Sequence, residues 1–188
     1  MSLRLIALLT LLAGGITQSA LADDYAAAKT QDIKFREGSF YPTWQEERGV
    51  EVGVDNFGKR EQRRLFGKKV DKFKTIDVAI TNNSPVRILL SEFEVFGKKG
   101  KVELADLNAV VKDIDPGGGE KGNYRMSILR NELAKKTLKA RPINPGETIQ
   151  GVVFIPKKQI DKNGRITIAV QNLRQLAYLE FDLSFEVD

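Results

Sequence analysis

Apolar and polar residues begin to alternate at Val50. Val50, Val52 and Val54 are interleaved with Glu51, Gly53 and Asp55, the period-two pattern of a half-buried strand. Ile76, Val78 and Ile80 repeat it, with Asp77 and Ala79 in the opposite, solvent-facing phase. Asn82-Asn83-Ser84-Pro85 predicts a turn, after which Val86, Ile88 and Leu90 resume the strand. Phe93 and Val95 fall out of that phase, so a one-residue slip near Ser91 predicts a bulge. Phe96–Lys101 reads as a hairpin tip returning through Val102 and Leu104. Pro145-Gly146-Glu147 is a turn signal, and it launches the β-branched and aromatic run from Thr148 to Ile155. Ile166, Ile168 and Val170 follow, and Leu179, Phe181, Leu183, Phe185 and Val187 close the series facing one way.

Helical spacing is confined to Tyr124–Lys136, where Met126, Leu129 and Leu133 share one face. The stretch 61–66 is short and charged and predicts a loop or a single turn. The stretch 113–123, with three consecutive glycines, predicts a mobile surface loop. Residues 23–48 read as an irregular lead-in, in which Phe35, Phe40, Tyr41 and Trp44 cluster around Gly38 and Pro42. Such aromatics can stack on a sugar, but the commoner use is to cap a core. About seven strands, one short inserted helix and no βαβ rhythm predict an immunoglobulin-like antiparallel β-sandwich over residues 49–188.

The first residues alter this picture. Arg4 precedes an apolar run from Leu5 to Ile16, and small residues stand at Ala20 and Ala22. That is a signal-peptide pattern with cleavage after Ala22, and it predicts a periplasmic or secreted protein. The chain has no cysteine and no histidine. Packing without disulfides must then stabilise it, and thiolate ligands, thiol nucleophiles and imidazole bases are excluded. No cofactor and no catalytic residue are expected, since Ser39, Ser84, Ser91, Ser127 and Ser184 have no base to activate them.

The net charge of +5 is unevenly spread: residues 59–74 hold eight basic and two acidic side chains. Lys59, Arg60, Arg63, Arg64, Lys68 and Lys69 are therefore the candidate contacts for a protein or an anionic envelope polymer, with nucleic acid not the partner expected. Residues 125–141, with six basic and one acidic, form a second lead. Asp113, Asp115 and Glu120 could ligate Ca²⁺ through oxygen, but the spacing lacks the distant bidentate Glu of an EF-hand loop, and a solvated acidic loop is the expectation. An envelope-polymer hydrolase using paired carboxylates is the alternative function. Most of the acids, among them Glu51, Asp55, Asp77, Glu92, Glu94, Glu180, Asp182 and Glu186, fall in solvent-facing strand phases.

Val78–Val86, followed by Leu89 and Phe93, resembles the early hairpin of exported bacterial immunoglobulin-like domains of unknown function. Ile143–Phe154, with Pro145-Gly146-Glu147 and Gly151, resembles their closing hairpin. The resemblance implies fold and compartment, and it carries no catalytic residue across.

Overall fold

A computed structural model describes residues 31–67, 70–115, 119–160, 162–174 and 177–186, without the side chain of Lys121. The expected signal peptide, Lys68, Lys69 and Val187 lie outside the described residues. Nine strands form two antiparallel sheets: β1 (Thr43–Glu47), β2 (Val50–Asn56), β3 (Phe73–Asn82) and β7 (Glu147–Pro156) make sheet A, in the order β1-β2-β3-β7. Sheet B has the order β5-β4-β8-β9, from β4 (Ile88–Gly97), β5 (Gly100–Val102), β8 (Asn163–Asn172) and β9 (Tyr178–Glu186), with β6 (Pro142–Ile143) also on β4.

The alternating residues fill the space between the sheets, as expected. Val52, Val54, Val78 and Ile80 of sheet A and Ile166, Ile168, Phe181 and Leu183 of sheet B belong to one buried cluster. The slip at Ser91 is a bulge, because the β4–β8 register shifts between Leu90 and Glu92. The Ser91 hydroxyl fills the gap by donating to the Ala169 carbonyl at 2.8 Å.

Elsewhere the pattern misleads. Residues 43–47 are not irregular: they form β1, turned into β2 through Arg48 and Gly49, both at positive φ as a two-residue hairpin requires. Among the described residues three helices stand where one was expected: α1 (Lys59–Phe66), α2 (Leu107–Ile114) and α3 (Gly119–Lys136). The stretch expected as a glycine-rich loop supplies the end of α2 and the start of α3. Together the helices cover part of the outer face of sheet A and enclose a second core, where Leu65, Phe66, Val110, Leu129 and Leu133 meet Val152 and Phe154. From Gly151 to Ile155 strand β7 is therefore buried on both faces, and there its sequence is continuously apolar.

Candidate functional site

Helix α1 owes its start to Gly58, in extended conformation, and its end to Gly67 at φ 73°, a left-handed C-terminal cap. Leu65 and Phe66 anchor it, the Phe66 ring tilting against Phe154 at 5.6 Å. Buried Gln62 ties down both flanks, donating to the Phe57 carbonyl at 3.0 Å and accepting from the Val70 amide at 3.2 Å. At the C-terminal end, Lys136 of α3 is buried and donates to the Leu65 carbonyl at 2.8 Å. Burial pushes its ammonium below the usual lysine range.

The solvent side of α1 is basic. Lys59, Arg60 and Arg63 are exposed and make no hydrogen bond or ion pair among the described residues. Lys59 and Arg60 sit in the first turn, where the helix dipole disfavours cations. Arg64 is otherwise engaged: its guanidinium donates to the Gln31 side chain at 3.1 Å, and its carbonyl accepts from the Gln31 amide. Three of the six candidate cations are therefore brought together and free, and one is a structural clip.

Half of the second basic stretch is taken up in internal pairs: Arg125 with Asp115, Lys135 with Glu132 and Arg141 with Glu147. Of the acids of the expected loop, Glu120 is exposed as expected, while Asp115 pairs with Arg125 and Asp113 is drawn inward. Asp113 accepts the Asp71 and Lys72 amides, each at 2.8 Å, and so pins the segment after α1 to α2. Among the described residues no three His, Cys, Asp or Glu side chains gather as metal ligands.

A second polar site escapes the alternation rule. Residues 31–42 cross the outer face of sheet A as a strap, with a 3-10 turn at Gly38–Phe40. Asp77, expected to face solvent, is fully buried beneath it. Arg36 donates to Asp77 and to Asp55, each at 2.9 Å, and its guanidinium lies 4.0 Å from the Tyr41 ring centre. The Tyr41 hydroxyl donates to Asp77 at 2.8 Å, and the Gln150 amide donates to Asp77 at 3.0 Å. Burial raises the Asp77 carboxyl above the usual range, against the pull of Arg36, Tyr41 and Gln150. Burial and the Asp77 charge likewise raise the Tyr41 phenol. A groove of about 520 Å³ opens beside this cluster, lined by Lys34, Arg36, Asp55, Glu61 and Arg64.

Sequence did hold one sign of this site. The phase of β3 that carries Asp77 reads Phe73, Thr75, Asp77, Ala79 and Thr81, too poor in charge for a wet face. Packing at the crossing demands glycine: a Cβ on Gly53 would stand 2.7 Å from Tyr41 Cβ and closer still to the Gly38 carbonyl. Of the lead-in aromatics Tyr41 is buried as expected, and the other three are not. The strap turns Arg36, Gly38 and Tyr41 to the sheet, leaving Phe35 64%, Phe40 70% and Trp44 46% exposed.

No protein family matches the chain, and no curated protein does. Among solved structures, the yjhA protein from Bacillus subtilis is 12% identical, covers 79% of this chain and 98% of its own, and superposes with a TM-score of 0.41. A structural-genomics target designated SoR45 is 11% identical, over 73% of this chain and 85% of its own, at 0.34. A FixG-related protein from Vibrio parahaemolyticus is 9% identical, over 73% and 95%, at 0.31. At such scores the architecture rests on this chain's own strand pairing. No helix among the described residues is long and apolar enough to cross a membrane.

Proposed function

We propose that this chain is a non-catalytic, exported binding module of immunoglobulin-like architecture, which engages an anionic envelope component through the basic side of α1. The observation that carries the reading is the trio Lys59, Arg60 and Arg63, exposed and unpaired on a helix whose opposite side is locked by Leu65, Phe66 and Gln62. Two of these cations oppose the helix dipole, so fold stability gives no reason to place them there. Attraction to a polyanion sums over such charges and weakens with salt.

The immunoglobulin-like reading draws support from the connections. Strands β3 and β7 pair in one sheet while β4, β8 and β9 pair in the other, as strands B and E and strands C, F and G do in that fold. The hydrolase reading has less to stand on. Asp55 and Asp77 do meet, but Arg36 spans them both and Asp77 has no solvent access.

Retention on dextran sulfate resin tests the binding role. Wild type is expected to bind at low salt and elute as salt rises. K59E/R60E/R63E should flow through with an unchanged melting temperature, and equal retention of this variant would overturn the reading. Export is checked separately by intact mass, which should place the mature N-terminus at Asp23.

A further inference from the structure

Three of the exposed aromatic side chains among the described residues, Phe35, Phe40 and Trp44, share one side of the sandwich, whereas Tyr124 is on α3 and Tyr178 in the outer phase of β9. Phe35 and Phe40 belong to the strap on the outer side of sheet A. Trp44 of β1 lies directly opposite Gly53, whose missing Cβ would point at the strap, so Trp44 shares that side. Helix α1 packs on the same outer face through Phe154, so Lys59, Arg60 and Arg63 share it too, together with exposed Lys34 of the strap. The opposite side of the molecule, the outer face of sheet B, presents Glu92, Glu94, Glu180 and Asp182, answered by Arg165 and by Lys101, which pairs with Glu94.

A soluble polyanion would use the cations and leave three large aromatic surfaces in water. A lipid bilayer uses both. Aromatic rings settle at headgroup depth with their apolar bodies buried, while Lys and Arg side chains reach the phosphates. Each basic residue near an anionic leaflet adds attraction that decays within a Debye length.

We infer that the outer side of sheet A docks onto an anionic lipid bilayer, with Phe35, Phe40 and Trp44 entering the headgroup layer and Lys59, Arg60 and Arg63 meeting anionic headgroups. The inference rests on the reading of α1 as an anion-contacting helix and names its partner.

Trp44 is the only tryptophan of the chain, so its emission reports the contact directly. Protein purified from its producing cell is mixed with equimolar phosphatidylglycerol–phosphatidylcholine vesicles and, separately, with pure phosphatidylcholine vesicles. Co-sedimentation and a blue shift of Trp44 emission are expected with the first only, at low salt. F35S/F40S should weaken vesicle binding by about tenfold, from lost apolar burial, while its retention on dextran sulfate and its melting temperature stay unchanged. Vesicle binding without a blue shift, or binding that F35S/F40S leaves intact, overturns the bilayer inference and leaves the α1 reading standing. Loss of dextran sulfate binding by wild type as well overturns both. If F35S/F40S melts early, iodide quenching of wild-type Trp44 decides instead: vesicles must shield it, and unchanged quenching sinks the inference.

Discussion

The two outward faces of this sandwich obey different rules. On sheet B, β9 alternates exposed and buried at every position from Tyr178 to Glu186, because one side meets the core and the other meets water. On sheet A, every residue of β3 except Lys74 is buried, because helices and the strap cover the second side. Alternation therefore reports how many faces of a strand are wet, and it carries no warning when a neighbour from elsewhere in the chain covers the dry one. A charge in the outer phase of sheet B is a surface charge. A charge in the outer phase of β3, such as Asp77, must find its partners inside.

The sharpest way to break this contrast is to remove one ion-pair partner from each face. Arg36→Ala strips the cation from a fully buried carboxylate and should cost about 3 kcal/mol in urea unfolding. Arg165→Ala on sheet B, beside half-exposed Asp182 at 3.9 Å, should cost under about 1 kcal/mol. The paired replacement R36M/D77L should recover part of the first loss, since no fully buried charge is left stranded, while Asp55 and the Tyr41 hydroxyl lose their partners. Equal costs for the two single changes would erase the distinction.

Glycine substitutions sharpen it further. Gly53→Ala drives a methyl into the Gly38 backbone and Tyr41, and should cost about 2 kcal/mol and speed proteolysis within residues 31–42. Gly164→Ala on sheet B meets the tips of the Phe185 and Ile160 side chains, which can turn aside, so its cost should be smaller.

A pH series isolates Asp77. Its folded-state carboxyl is raised by burial, so its contribution is full below the unfolded range, near pH about 4, and is lost as pH rises through the folded value. Wild type should therefore lose part of its melting temperature between pH 4 and neutrality. The decline should be steeper in Arg36→Ala and missing in Asp77→Asn. A wild-type profile that rises over this interval, with Asp77→Asn flat, would contradict the assignment.

Another small effect belongs to the seam where the sheets meet. The Gln45 side chain of β1 donates to the Asp182 carbonyl at 2.6 Å and accepts the Asp182 amide at 3.2 Å, standing in for a strand partner on β9. Gln45→Ala should cost about 1 kcal/mol, read as a slight fall in urea midpoint.

What the sequence made legible follows the same division. The inter-sheet core, the Ser91 bulge and the β4–β5 hairpin were visible because their signals are local: phase, slip and turn. Helices α1 and α2 were missed because each is eight residues long and offers barely two turns of periodicity. The basic segment was visible as composition, but the division between free Lys59, Arg60 and Arg63 and engaged Arg64 depends on Gln31, which sequence places 33 residues away. The Asp77 cluster was hidden for the same reason, drawing on Arg36 and Tyr41 of the strap, Asp55 of β2 and Gln150 of β7, three segments far from β3 in sequence.

The strap also sets an order of events. Arg36 is among the first described residues, yet its amide bonds Gln150, 114 positions later, and its guanidinium bonds Asp77, 41 positions later. A chain that is made, or threaded through a translocon, from its N-terminus presents the strap first and completes its docking site only when β7 has emerged. Closing so wide a loop is slow, and it costs chain entropy before any contact offsets it. Until then Asp77 stays hydrated and Gly53 uncovered. The strap thus acquires its native contacts only after β7 is made, more than a hundred positions after Arg36 itself.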